Sequence, residues 1–377
     1  GGFEKEITHA NAVFSNGSNK DTLPFRHWQF DSWWYEKGRG GNGSSRGRGP
    51  IGPFLGVYRW EADPFVFPSG MDRMQQMIKK PFVLHNRWFA PHNWYHQQNI
   101  PSSGWTLSSV TESPLGLFAV LPLDGRAFWD YFFKRARLFG LHTYEQDFLW
   151  TQYSLVPLLR RNATFADDWL RDMGWAAAKH EISLQYCMPY PRDYVASTQS
   201  TMVRTIRVTD DYKPNDGKNW RIGRQSLLAW AVGLLPFKDT FLTNSKTPQT
   251  GAANPGPEQS ADLHALVSVL SGGMVGPGDG PGMANKTLIT QTCMSDGNLL
   301  KPDHPALPID AAWSTKRDPG GELLWTGTSL GTGDASWDFR YVLAAALERD
   351  YWLRPEDIHL PKSPEYIARN WFSGELR

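Results

Sequence analysis

Cysteine is scarce in this 377-residue chain, an excess of charge of either sign is missing, and long apolar runs are missing as well. The two cysteines, Cys187 and Cys293, cannot build a disulfide framework and read as buried, inert thiols. With no C-x-x-C motif or His/Cys cluster, the sequence offers no metal site. Lys and Arg number 39 against 38 Asp and Glu, a net charge of +1, which removes the electrostatic footprint of a nucleic-acid binder. No apolar stretch approaches the roughly 18 to 20 residues that a membrane span requires. The opening residues, Gly1-Gly2-Phe3, show neither a basic n-region nor an apolar h-region, so no signal peptide is visible.

Tryptophan is abundant, with 18 residues beside 35 Gly and 27 Pro. A flat ring with one N–H donor suits the apolar face of a sugar, but it equally fills an aromatic core, so placement has to decide. Two polar stretches, Lys37–Pro50 (rich in Gly and Arg) and Thr243–Gln259, read as loops, and neither is long enough to be a domain linker. The first lacks the interleaved aromatics of an RNA-binding segment.

Around these loops, short apolar runs alternate with helical patterns. Strands are predicted at Arg26–Asp31, Leu55–Trp60, Phe82–Asn86, Leu141–Asp147, Ser183–Met188, Val203–Thr209, Gly233–Lys238 and Met274–Gly278. Helices are predicted at Gly70–Lys80, Gly125–Phe139, Ala166–Lys179, Gln225–Ala231 and Asp262–Ser271. This rhythm is that of an α/β fold, a (β/α)8 TIM barrel, over residues 1–308. Beyond Pro308 the texture becomes Gly-punctuated, and 309–377 reads as a small C-terminal β-rich appendage; the prolines in Tyr351–Pro364 rule out a continuous helix there.

Nearly every predicted strand exits on a polar or chargeable group: Asp31, Glu61, Asn86-Arg87, Asp147, Cys187, Asp210-Asp211, Asp239 and Asp279. A single such Asp is commonly a helix N-cap, but in a barrel the exits converge on the face where active sites lie. Two carboxylates facing each other across a pocket are the minimum for glycosidic bond chemistry. The best pair is Asp147 and Asp210. The neighbouring Asp211 charge would favour the protonated form of Asp210, as an acid requires, and Arg207 could hold Asp211 or a sugar hydroxyl. His85 and His92 could polarise a hydroxyl but fit structural hydrogen bonding better.

At these residues the chain resembles the clan of retaining α-glycosidases that contains the α-galactosidases and the plant raffinose and stachyose synthases of glycoside hydrolase family 36. Ile206-Arg207-Val208-Thr209-Asp210-Asp211-Tyr212 is similar to their Arg-Val-Gly-Asp-Asp-Phe, and Pro236-Phe237-Lys238-Asp239-Thr240-Phe241 to Pro-Asp-Trp-Asp-Met-Phe. Ser271-Gly272-Gly273-Met274-Val275 with Asp279, and Ser295-Asp296-Gly297-Asn298 with His304-Pro305-Ala306-Leu307-Pro308, resemble two further segments in the same order. In the first half, Trp60–Gly70 and Gln29–Trp34 are looser matches, and the family's Lys-x-Asp stands here as Glu145-Gln146-Asp147, which reverses a local charge.

The resemblance implies a retaining mechanism without cofactor or metal. Asp147 would attack the anomeric carbon, and Asp210 would act as acid and then base, with the carboxyl groups about 5 to 6 Å apart. Asp31, Trp34, Trp60, Asn86, Arg87, Glu145, Arg207, Asp211, Asp239 and Asp279 would bind the carbohydrate substrate. The implied activity is that of an α-galactosidase-like hydrolase. One alternative is a galactosyl transglycosidase using Trp88, Trp94 and Trp105 as acceptor platforms; another is a non-catalytic carbohydrate-binding barrel. The family usually carries an N-terminal β-sandwich where this chain has only residues 1–25, which implies a longer parent protein or a lineage without that module. Sequons at Asn16, Asn42, Asn162 and Asn285 permit secretion without requiring it. Compartment, oligomeric state and the sugar itself stay open.

Overall fold

The computed structural model describes residues 2–15, 22–38, 46–47, 56–96, 99–100, 104–109, 111–112, 118–162, 164–216, 219–244, 258–331, 337–360 and 365–377. Most of both predicted loops, and the sequons at Asn16 and Asn42, lie outside these residues. Six strands, Trp28–Phe30, Phe82–Asn86, Leu141–Gln146, Ser183–Tyr186, Val203–Arg207 and Leu235–Phe237, stand side by side in chain order. Every adjacent pair is parallel. Parallel neighbours need crossovers, and helices such as Gly125–Arg137 between Asn86 and Leu141 supply them. This is the expected α/β barrel arrangement.

Two predicted strands are corrected. Gly56–Ala62 leaves the barrel ladder and pairs antiparallel with Tyr35–Gly38, which in turn pairs with Arg46–Gly47; Leu55 lies outside the described residues. Its apolar run has strand character, but periodicity does not name a partner. Met274–Gly278 contributes only a parallel bridge, Phe241 to Pro277. Gly276, Pro277 and Gly278 explain this, because proline donates no ladder hydrogen bond and glycine weakens a strand.

The helix Gly125–Arg137 shows how local sequence builds the barrel wall. Asp124 caps it by accepting a hydrogen bond from the Ala127 amide at 3.2 Å, and Lys134, Arg135 and Arg137 sit in its last turn, favourable for the helix dipole. One face buries Phe128, Trp129, Phe132, Phe133 and Ala136. Trp129 meets Trp169 of the next long helix, Phe165–Lys179, at 5.7 Å between ring centroids. Full burial of each such ring contributes about 1.5–3 kcal/mol, so Trp129→Ala would cost about 3–5 kcal/mol.

The remaining predicted helices appear as Gly70–Ile78, Gly223–Ala231 and Ala261–Leu270. An N-terminal helix, Gly2–Ser15, was not anticipated; its buried Glu4 accepts from the Ser69 amide at 2.7 Å ahead of Gly70–Ile78. The C-terminal appendage is a three-stranded antiparallel sheet, Leu307–Pro308, Glu322–Leu330 and Trp337–Ala345. Leu307–Pro308 already pairs with it, ahead of the expected boundary. Glu322 accepts from the Gly223 amide at 2.9 Å and Leu324 joins the barrel's hydrophobic core, so sheet and barrel share an interior. Between Tyr351 and Leu360 only a single 3-10 turn, Pro355–Ile358, forms. No helix among the described residues is long and apolar enough to cross a membrane.

Candidate active site

Alternation along parallel strands sends every second side chain to the same side of the sheet, here the barrel interior. The register places His85 opposite Glu145 and Glu145 opposite Gln185. Gln29 donates to Glu145 at 2.9 Å, and Thr205 donates to Gln185 at 3.5 Å. A layer of polar side chains therefore runs across five strands, and at its C-terminal rim stands Asp147.

Asp147 continues the ladder through its amide, which donates to the Asn86 carbonyl at 2.9 Å. Its Oδ1 accepts from the Phe148 amide at 2.6 Å, and its Oδ2 lies 3.0 Å from His85 Nε2. Gln146 and Gln152 both donate to its carbonyl, at 3.0 and 3.1 Å. The side chain is 10% exposed. Burial alone would raise its pKa, but the His85 hydrogen bond and charge, then Arg207 and the Cys187 thiol, overcome burial and hold it at about 2. Glu145, two residues back, goes the other way: burial, against the pull of His85 and with the push of Asp147 and Asp31, lifts it to about 7. Two neighbouring carboxyls thus divide into one charged and one readily protonated group. Phe148 and Met188, directly after Asp147 and Cys187, adopt positive φ of 55° and 47°. Such backbone costs on the order of 1–3 kcal/mol per residue and concentrates where function needs it.

Arg207 ends the fifth ladder strand, buried, and reaches Asp211 at 2.7 Å and Asp239 at 3.5 Å. Its charge also acts on Asp147. Asp239 accepts from the Tyr212 amide at 2.6 Å, so the exits of the fifth and sixth strands are laced together. Asp210 and Asp211 are both exposed, but it is Asp211 that turns to Arg207. The neighbouring charge invoked to keep a proton on Asp210 is therefore already paired with a cation. Burial raises the Asp211 pKa against Arg207, with Asp239 and Asp147 adding to the rise.

The other sequence-predicted residues fall into distinct places. Trp34 and Trp60 are 0% and 2% exposed, and both indoles donate to the His85 carbonyl, at 3.2 and 3.0 Å. The structure corrects their assignment as sugar platforms, because both rings are spent on packing beneath the site. Trp88 and Trp105 are buried too, and the Arg59 guanidinium lies over one face of the half-buried Trp94 at 4.6 Å. Asn86 is buried against Tyr144, with its Oδ1 unpartnered. Arg87 is buried, donates to the Tyr35 hydroxyl at 3.0 Å and stacks over Phe148. Asp31 is exposed and accepts from the Ser32 amide. Asp279 clasps Thr243, accepting from its hydroxyl at 2.7 Å and its amide at 3.0 Å, which fits a loop anchor better than a sugar ligand. Both thiols are free and buried; burial pushes Cys187 up, and Asp147 adds to it. Sequence reasoning missed Gln29 and Tyr35. Gln29 had a signal, standing two residues before Asp31 on one strand, whereas Tyr35 comes from the antiparallel excursion and had none.

Among the described residues, no group of three or more His, Cys, Asp or Glu could hold a metal ion. A scan against protein-family models finds no match, and a search of curated proteins finds no significant one. Solved structures do match. An alanine variant of a GH27 β-L-arabinopyranosidase from Geobacillus stearothermophilus, in complex with arabinose, aligns with a TM-score of 0.58 at 13% identity over 90% of this chain and 79% of that one. The wild-type form of that arabinopyranosidase gives 0.55 at 14% identity, over 86% and 77%. At such identity the likeness shows the fold. This chain has the barrel with C-terminal β-sheet found in GH27 glycosidases, and the likeness does not single out the raffinose synthases.

Proposed function

We propose that the protein is a retaining glycoside hydrolase that works through a covalent glycosyl-aspartate on Asp147. The observation that carries this reading is the state of Asp147: a buried carboxylate at a barrel strand exit, held ionised by His85, two strands away from a second carboxyl that keeps contact with solvent. The division of labour is that of a nucleophile and an acid/base. Of the Asp210–Asp211 pair, Asp211 fits the acid/base role better, since Arg207 ties it to the interior while Asp210 makes no such contact. Asp211 would protonate the departing oxygen and then deprotonate the incoming water. Arg207 and Asp239 would fix its position, and Arg87 and Asn86 border the same rim.

The glycone follows from chemistry that two lines of support share. β-L-Arabinopyranose and α-D-galactopyranose have the same ring configuration from C1 to C4 and differ by the hydroxymethyl group at C5. A fold neighbour acting on the first and a motif resemblance to α-galactosidases therefore point to one class of sugar. Glu145, where the resembled family has lysine, would present a neutral or negative group to that ring, so the preference between the two sugars is expected to differ from the family's. Hydrolysis is favoured over transfer, because Trp88 and Trp105 are buried and Arg59 occupies one face of Trp94.

The test is incubation of the wild type and Asp147→Asn with 4-nitrophenyl α-D-galactopyranoside, β-L-arabinopyranoside and α-D-glucopyranoside, and with raffinose, following released and transferred sugars by chromatography. Turnover that disappears in the variant, with the first-formed anomer retained by NMR, supports the reading. Absence of turnover on the whole panel with sugar binding preserved overturns it in favour of a carbohydrate-binding barrel.

A further inference from the structure

We propose that His85 is the positioning residue of Asp147, and that Arg87 and Tyr35 set the direction of the hydrogen bond it makes. The inference rests on the glycosidase reading and adds a residue to it. The chain of contacts is Arg87 Nε to the Tyr35 hydroxyl at 3.0 Å, that hydroxyl to His85 Nδ1 at 3.1 Å, and His85 Nε2 to Asp147 Oδ2 at 3.0 Å. All four residues are buried.

Its polarity follows from its two ends: a guanidinium only donates and an ionised carboxylate only accepts, so Nε2 carries the proton of the His85–Asp147 bond. The Tyr35 oxygen accepts from Arg87, which leaves its phenolic proton placed to go to His85 Nδ1. An imidazole that accepts at Nδ1 carries its own proton on Nε2, and that proton points at the carboxylate. Burial keeps the Tyr35 hydroxyl protonated throughout the working pH range, so its donor role does not lapse. The backbone that carries the imidazole is also fixed, because the His85 carbonyl receives both the Trp34 and the Trp60 indole. With Oδ2 gripped by His85 and Oδ1 by the Phe148 amide, the plane of the Asp147 carboxylate is set before any sugar arrives. The other charged or titratable groups facing Asp147 are Glu145 on its own strand, Arg207, Asp211 and Cys187 from the strands beyond, and Asp31 beside Glu145.

The experiment uses whichever 4-nitrophenyl glycoside of the panel the wild type hydrolyses fastest. His85→Leu should lower kcat about 100-fold with KM within about threefold, and should move the acid limb of kcat/KM to higher pH as Asp147 loses its donor. His85→Gln, whose amide nitrogen reaches the place of Nε2, should recover most of kcat and return the limb. Tyr35→Phe should give a smaller shift in the same direction, since it only frees the tautomer. Imidazole 15N chemical shifts of the wild type should show a proton on His85 Nε2, a reading independent of activity. Wild-type kcat and an unmoved acid limb in His85→Leu would overturn the proposal, as would a His85 ring whose Nε2 carries no proton. If His85→Leu fails to fold, an unshifted limb in folded Tyr35→Phe does the same. A wild type with no glycosidase activity sinks the functional reading instead, whereas turnover that needs Asp147 but not His85 overturns this proposal alone.

Discussion

Asp147 and Asp211 follow strands separated by a single ladder strand, yet their surroundings are opposite in kind. Asp147 is almost out of water and accepts hydrogen bonds on both oxygens, from the Phe148 amide and His85. Asp211 keeps 62% of its side chain exposed and holds one strong contact, to Arg207. A carboxylate gripped on both oxygens keeps its charge and its aim, which suits a group that must form a bond to carbon. One that is open to solvent can load and unload a proton each turnover. The two halves of a double displacement ask for these two environments, and residue type alone does not distinguish them.

The comparison can be broken by substitution. Asp147→Asn should cost the most, about 10⁴-fold or more in kcat/KM, measured by steady-state kinetics on the best aryl glycoside. Asp211→Asn should lose about 10²- to 10⁴-fold on an alkyl or sugar leaving group but far less on 4-nitrophenyl, whose departure needs little proton assistance. Asp210→Asn should stay within about tenfold on both, and a larger loss than that of Asp211→Asn would move the acid to Asp210. Trp34→Phe should leave KM within about twofold while lowering stability by about 1–3 kcal/mol in urea titration, because the indole packs and donates beneath the site. A raised KM with unchanged stability would restore it as a sugar platform.

The smallest effect sharpens the contrast between Asp147 and its neighbour. Folded Glu145 binds its proton more tightly than the unfolded chain does, with a pKa near 7 in place of 4.5. Its contribution to stability is therefore complete below about pH 4.5 and is lost as pH rises to about 7. The wild-type stability minus that of Glu145→Gln, from urea titrations at a series of pH values, should fall across that window. A difference that stays flat there would mean that Glu145 is ionised beside Asp147.

Six barrel strands were legible because each is a short buried run bounded by turn residues, with a polar group at its exit. Gly56–Ala62 was misplaced for a physical reason: strand character is local, while the choice between a parallel and an antiparallel partner is tertiary. The same limit governs the site. Asp147 and Arg207 could be picked out from position and type. The bond from His85 to a carboxylate 62 positions later could not, and neither could the burial of Trp34 and Trp60, since tryptophan frequency does not say which way a ring faces. The Arg207–Asp211 contact was among those read from the sequence, whereas its consequence for Asp210, that the adjacent charge is already paired, needed the turn conformation of Thr209-Asp210-Asp211.

Asp279 and Glu258 fasten the described chain on either side of residues 245–257. Asp279 holds Thr243, while Glu258 accepts from the Ser260 amide at 2.6 Å and from the Tyr212 hydroxyl at 2.7 Å. Residues 245–257 thus join two points that are fixed independently of what runs between them. In evolutionary terms, two anchor points that hold their places through Asp279 and Tyr212 leave the sequence between them open to rewriting without loosening the scaffold.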